Sequence, residues 1–354
     1  MKQKVIILFS IAFLLFNFNT QAQVKNVIFL IGDGMGLNHV HAARVSADTM
    51  LNIERADAVG LINTYSANKY ITDSAAGGTA LATGVKTKNG MIGMNPDSVP
   101  VYSILHDAQK NKLATGIVVT SSVTHATPAS FVAHQINRKM EDEIAEDIVN
   151  SSLDVFIGGG SKFFMQRKDS ADLITKLTEK GYGIYFSLEE ATQSGTAKKG
   201  VLLAENGMPS IQNGRGNMLP EATKVALNIL SKNKKGFFLM VEGSQIDWAA
   251  HDNNLEGVIQ ETLDFDKAVG IAMDFADKNK GTLVIITADH ETGGMQITGK
   301  NRKTKELKAV FTTTDHSPVP VPLYAYGTDA DKFSAFMNNT DIKPLLFKLY
   351  KFKK

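Results

Sequence analysis

Three short apolar runs in this chain each end on an acidic residue. Val27-Ile-Phe-Leu-Ile31 leads into Gly32-Asp33-Gly34-Met35-Gly36, Phe237-Phe-Leu-Met-Val241 into Glu242-Gly243-Ser244, and Leu283-Val-Ile-Ile-Thr287 into Ala288-Asp289-His290-Glu291. Such runs read as buried strands of a parallel sheet, whose ligands bind outside the carboxyl ends of the strands. A single strand-end acid would ordinarily cap a helix. Three at one edge would gather negative charge that is costly to bury unless cations neutralise it. A site for several metal ions is the economical reading. Asp247 and His251, four residues apart and shortly after Glu242, share one helical face and could grip one ion together. His316, in Thr314-Asp315-His316-Ser317, precedes a late apolar run and by itself reads as a loop histidine. The glycines around Asp33 do not form a dinucleotide fingerprint, because Leu37 stands where the third glycine belongs. The turn serves instead to expose Asp33.

A possible nucleophile lies in Thr72-Asp73-Ser74-Ala75-Ala76-Gly77-Gly78, a run of small residues that admits close approach. Ser74 falls in the first turn of a helix, where free N–H groups and the helix dipole favour negative charge. Serine needs a base or a metal to attack. The chain has no Gly-x-Ser-x-Gly elbow, so activation by zinc suits the carboxylate cluster better. The plainer alternative makes Ser74 the cap of its helix. Further on, Pro128 suits a helix's first position, which sets His125 and Thr127 ahead of the helix and Arg138 about three turns along it. Arginine is the planar fork for phosphate oxygens, although the spacing equally describes a surface residue.

The elements that must position these groups alternate. Strands are expected at Val27–Ile31, Gly60–Thr64, Gly116–Thr120, Asp154–Ile157, Phe237–Val241, Leu283–Thr287 and Pro322–Tyr326. Amphipathic stretches separate them, the longest from Leu255 to about Asp277. The pattern predicts an α/β three-layer sandwich with a large, mostly parallel central sheet flanked by helices. Residues 23–354 form one domain on this reading, and the weakly periodic stretch 181–218 is an insertion or lid.

Composition narrows the function. The 354 residues contain no cysteine, which excludes disulfides, thiolate metal sites and a cysteine nucleophile, so any metal must sit on His and oxygen ligands. A formal charge of +2 offers nothing for nucleic acid. Residues 1–22 read as a secretory signal: Lys2 and Lys4, an apolar run Val5–Phe18, then a small residue, Ala22, for cleavage. The two lysines account for the whole charge excess, leaving a formally neutral chain. Export to a periplasmic or extracellular location, with no membrane anchor after cleavage, is the expectation.

Taken together, these motifs resemble the alkaline phosphatase family. Gly32-Asp-Gly-Met-Gly36, Thr72-Asp-Ser-Ala-Ala76, His125-Ala-Thr-Pro128, Val241-Glu-Gly-Ser-Gln-Ile-Asp-Trp-Ala-Ala-His251, Thr287-Ala-Asp-His-Glu-Thr-Gly-Gly294 and His316 occur in the family's order over most of the chain, most like its compact bacterial members. The resemblance implies a homodimeric phosphomonoesterase with two Zn2+ ions and a third metal, often Mg2+, per subunit. It implies that Asp247, His251 and His316 bind the first zinc, and that Asp33, Asp289 and His290 bind the second beside the nucleophile Ser74. Asp33, Thr127 and Glu242 would hold the third metal, and Arg138 would grip the phosphate. A phosphoserine intermediate would form and then be hydrolysed.

Two positions depart from one bacterial pattern: His125 stands where some members have Asp, and Trp248, at the phosphate pocket, where some have Lys. A nitrogen donor at 125 would favour zinc or cobalt in the third site. The rival readings are a phosphodiesterase of the same superfamily and a metal- or phosphate-binding protein without turnover. Ser74-Ala-Ala-Gly-Gly78 lacks the Pro and Arg of a sulfatase motif. His39, His41, His106 and His134 have no motif role.

Overall fold

The computed structural model describes residues 22–353 apart from 48, 302 and 305, so all but the last residue of the proposed 1–22 leader lies outside the described residues. Its strands are β1 (Asn26–Gly32), β2 (Ala58–Asn63), β3 (Ala114–Ser122), β4 (Val155–Gly159), β5 (Tyr182–Tyr185), β6 (Lys198–Leu202), β7 (Phe237–Gly243) and β8 (Thr282–Thr287). Then come β9 (Glu291–Thr292), β10 (Met295–Lys300), β11 (Leu307–Phe311), β12 (His316–Ser317), β13 (Val321–Gly327) and β14 (Phe336–Asn338). Ten of them form one sheet in the order β14-β2-β13-β8-β1-β7-β3-β4-β6-β5. Only β13 runs antiparallel to its neighbours, β2 and β8. This is the mostly parallel sheet between helical layers that the alternation predicts.

The central strands are continuous apolar runs because both faces are covered. β3, β4, β7 and β8 are buried along their whole lengths. Phe29 of β1 meets Phe131 and Phe238 at ring-centroid distances of 6.0 and 6.5 Å, both edge to face. That geometry contributes beyond area burial. The long helix Leu255–Lys278 presents Phe265, Ala268, Val269, Ala272 and Met273 to this core.

Residues 181–218 do more than lie over the fold. They supply β5 and β6, the outer edge of the sheet, and then a loop crossing the strand ends. Their pattern is weak because β5 has only one buried residue in four. The loop is clamped from below: Arg215 pairs with Glu261 and lies 3.0 Å from Asp264, all three buried, and donates to Pro209 O.

The stretch after His125 departs from expectation. The helix starts at Ala126 with His125 as its cap residue, so Thr127 lies inside its first turn. It ends at Val132, because Ala133 is extended and Gln135 pairs its backbone with Ile92. Arg138 therefore sits in a turn, anchored by its N–H to Gly90 O at 2.7 Å.

Candidate active site

The parallel register sets the site. Ile31 of β1 lies opposite Glu242 of β7 and Thr287 of β8, so Asp33, Glu242 and Asp289 emerge at one edge. All three are completely buried. Gly34, at φ +71°, makes the turn that frees Asp33, a conformation that costs glycine little.

Three groups of side chains could each hold a cation, their donor atoms lying within 4.8 Å of one another. The first is Asp247, His251 and His316. Asp247 and His251 share a face of the helix Gln245–His251, and His316 arrives on β12. The two histidine Nε2 atoms are 3.2 Å apart and lie 3.3 and 3.6 Å from Asp247 Oδ1. Their Nδ1 atoms face backbone carbonyls, Thr314 O at 2.6 Å and Thr72 O at 2.8 Å. Each Nδ1 therefore donates to its carbonyl, and each Nε2 faces inward, where it can offer a lone pair to a cation.

The second group is Asp33, Asp289 and His290, with His290 Nε2 3.3 Å from a carboxylate oxygen of each acid. The third is Asp33, His125 and Glu242. Thr127 Oγ1 lies 3.5 Å from Asp33 Oδ2 beside it. Asp33 Oδ1, Glu242 Oε1 and Asp289 Oδ2 are buried without a hydrogen-bond partner. Orphaned anionic oxygens beside inward-facing imidazoles fit divalent cations. The first two donor sets, mixed nitrogen and oxygen, suit zinc, and the oxygen-richer third suits a harder ion.

The proton affinities show the same demand for positive charge. Burial, reinforced by Asp289, Asp247 and Glu242, raises Asp33 well above the ordinary carboxylate range. Burial and Asp289 push Glu242 up to about 8, and burial with Asp247 pushes Asp289 up to about 6. Burial acts on Asp247 in the same sense, but the hydrogen bond from His251 and the nearby imidazoles outweigh it and hold Asp247 low. The hydrogen bond to Asp247 raises His251 to about 9. His290, fully buried, falls well below the ordinary histidine value.

Ser74 is the first residue of the helix Ser74–Thr83, but it is not the cap. Asp73 is, its Oδ1 accepting from Ala76 N at 2.9 Å. Ser74 Oγ is thus free to face His290 Nε2 at 3.2 Å. Gly77 lets the helix approach this closely, since a Cβ there would lie 2.8 Å from Asp289 O. Arg138, half-buried, donates from Nη2 to His125 Nε2 at 3.3 Å, and its Nη1 lies 3.3 Å from Asp73 Oδ2. Burial and Arg138 lower His125 to about 3. Trp248 stands edge-on to the His125 ring at 6.0 Å and packs under Gly207 of the clamped loop.

The structure thus brings every residue singled out for chemistry to one strand-end cleft. Among the remaining histidines, His39 is buried behind the Asp33 turn, His41 is exposed, and the His106 and His134 rings lie 5.2 Å apart at a tilt elsewhere. Two further residues touch the site. Asp73, beside the serine, was visible only as a neighbour. Thr292 contacts both Asp247 and His290. No spacing rule points to it, since its partners come from different elements.

The family model described as alkaline phosphatase matches residues 24–309. Alkaline phosphatase 4 of Bacillus subtilis is 35% identical, the alignment covering 94% of this chain and 90% of that protein. The alkaline phosphatase of the Antarctic bacterium TAB5 superposes with a TM-score of 0.90 at 41% identity, covering 94% of this chain and 100% of the other. A histidine-to-aspartate variant of that enzyme, with magnesium in its M3 site, superposes with a TM-score of 0.89 at 40% identity, with the same coverage.

Proposed function

The chain belongs to the alkaline phosphatase family, and from that premise we propose that it is an exported, homodimeric phosphomonoesterase working through a phosphoserine. Asp247, His251 and His316 would hold one zinc ion, and Asp33, Asp289 and His290 a second. Asp33, Thr127 and Glu242, with His125 adjoining, would hold a third ion: magnesium, or zinc or cobalt in view of the imidazole. Bound there, these ions supply the positive charge that acidifies a hydroxyl or water and offsets charge on the oxygens of a transferring phosphoryl group.

The residues divide the remaining work. Ser74 Oγ attacks phosphorus opposite the ester oxygen; the new Oγ–P bond forms as the P–O bond to the alcohol breaks, and the alcohol leaves with a proton. Arg138 presents its fork to the non-bridging oxygens, whose charge grows in the transition state. The first turn of the Ser74 helix adds its N–H groups. Water then attacks the phosphoserine from the same side as the departed alcohol, releasing phosphate and returning the proton to Ser74 Oγ. Only the phosphate is gripped by charge, so alcohols of many kinds fit.

The observation carrying this reading is Ser74 Oγ at 3.2 Å from His290 Nε2, inside the candidate ligand cluster. Comparison of p-nitrophenyl phosphate with bis-p-nitrophenyl phosphate tests it, with strong preference for the monoester expected. The Ser74→Ala variant should lose roughly 10³-fold or more in kcat while still binding phosphate and zinc. Preference for the diester, or near-normal turnover without the serine, overturns the reading.

A further inference from the structure

We propose that Thr292 is a positioning residue whose single hydroxyl orients one ligand in each of the two zinc sets, an inference that rests on the two-zinc reading above. Thr292 is fully buried on β9. Its Oγ1 donates to Asp247 Oδ1, a ligand atom of the first set, and lies 3.2 Å from Nδ1 of His290, a ligand of the second. Its backbone also pairs in register with His316 of the first set.

The proton inventory fixes the direction of these bonds. A hydroxyl has one proton to donate, and an ionised carboxylate can only accept. The Thr292 proton is therefore committed to Asp247, and the hydroxyl must accept from His290. That places the His290 proton on Nδ1 and leaves Nε2 as a lone pair facing Asp33 and Asp289. His251 and His316 obtain the same orientation from the backbone carbonyls of Thr314 and Thr72. His290 obtains it from a hydroxyl already tied to the other set. The two donations run in one chain, His290 to Thr292 to Asp247, and each bond polarises the next.

The turn at Gly34 keeps room for this contact. A Cβ at Gly34 would stand 2.7 Å from Thr292 Oγ1 and 2.9 Å from Asp247 Oδ1, and Thr292 N donates to Gly34 O at 3.1 Å. The glycine after Asp33 thus serves two purposes: it exposes one ligand and admits the hydroxyl that orients two others.

The test replaces Thr292 with Val, which keeps the shape and removes the hydroxyl, and with Ser, which restores it. Full-length proteins are stripped of metal, and zinc affinity is measured by competition with a chromophoric chelator. Loss of an outer hydrogen-bond partner typically weakens metal binding 10–100-fold. The expectation is that Thr292→Val weakens both high-affinity zinc sites by about 10-fold or more, while Thr292→Ser stays within about threefold of the parent. Metal-free Thr292→Val should melt close to the metal-free parent, which separates lost orientation from lost packing. If it does not fold, Thr292→Ala provides the same comparison. Parent-like zinc affinity at both sites in the variant, or weakening of one site only, overturns the inference alone. A parent chain that binds fewer than two zinc ions tightly overturns the two-zinc reading and this inference with it.

Discussion

Asp73 holds Arg138 in place from the residue preceding the serine: Arg138 Nη1 lies 3.3 Å from Asp73 Oδ2. The same carboxylate accepts from Gly90 N at 2.9 Å and caps the serine's helix through its other oxygen. One side chain therefore sets the position of both the Ser74 helix and the Arg138 guanidinium, the proposed nucleophile and phosphate fork.

Removing the fork should cost transition-state stabilisation. Arg138→Ala is expected to lower kcat/KM for a monoester by about 10²–10³-fold, the range for losing one donor to developing charge. Asp73→Asn keeps a good helix cap but weakens the charge-assisted hold on Arg138. It should raise KM roughly tenfold with little change in melting temperature. Steady-state kinetics beside thermal melts distinguish the two effects, and an unchanged KM in Asp73→Asn would refute the role given to Asp73.

Chelation should destabilise the protein as well as silence it. Asp33, Glu242 and Asp289 are buried together with partnerless oxygens, so removing bound cations leaves their repulsion uncompensated. Ligand bound at 1,000 times its dissociation constant contributes about 4 kcal/mol, which corresponds to a fall of roughly 6 °C in a chain of this length. Melting curves with and without EDTA measure it, and zinc should restore both stability and activity. Equal melting temperatures would contradict a metal-loaded site.

His106 gives a pH effect remote from the catalytic cleft. Burial, with help from His134, lowers it from 6.5 to about 4. The folded protein keeps it neutral, whereas the unfolded chain takes up a proton below about 6.5. Stability is therefore lost as pH falls from about 6.5 towards 4, by roughly 2–3 kcal/mol in full. His106 also closes a capping box with Ser103, accepting from Ser103 N at 3.2 Å. Glutamine can close the same box without titrating. His106→Gln should flatten this part of the stability curve in urea titrations at pH 4.5 and 7, and an unaltered pH slope would rule the histidine out as its source.

Trp248 sets an uncharged ring edge-on to His125, beside the place proposed for the phosphate. Introducing a cation there, in Trp248→Lys, should tighten inhibition by inorganic phosphate by about tenfold, the order expected for one charge-assisted contact. Turnover should fall as product is held longer. Product-inhibition constants measured on both proteins decide the point; no change would mean that residue 248 does not contact bound phosphate.

Convergence of the acids was legible because buried parallel strands leave an unmistakable trace: an unbroken apolar run stopped by Asp33, Glu242 or Asp289. The sheet's far edge was not. Half-exposed β5 lacks both the continuous run of a central strand and clean alternation. Arg138 was misplaced on a helix because Pro128 suggests a start, while the stop depends on Gln135 pairing with Ile92, a tertiary event. Asp73 and Thr292 escaped for a related reason. Their roles lie in where a second hydrogen bond goes, and a local pattern does not record that.

The position of β1 has a consequence for how the chain assembles. It is the first strand among the described residues, yet it lies between β7 and β8, whose residues begin only at 237 and 282. As the chain emerges from its N-terminus, that strand has no sheet neighbour until two thirds of the polypeptide is available. Pairings so distant in sequence close slowly, and an apolar strand left waiting is exposed to wrong partners. The centre of the sheet is consequently among the last parts to form. The ligand clusters follow it, since the first needs His316 and the second needs His290.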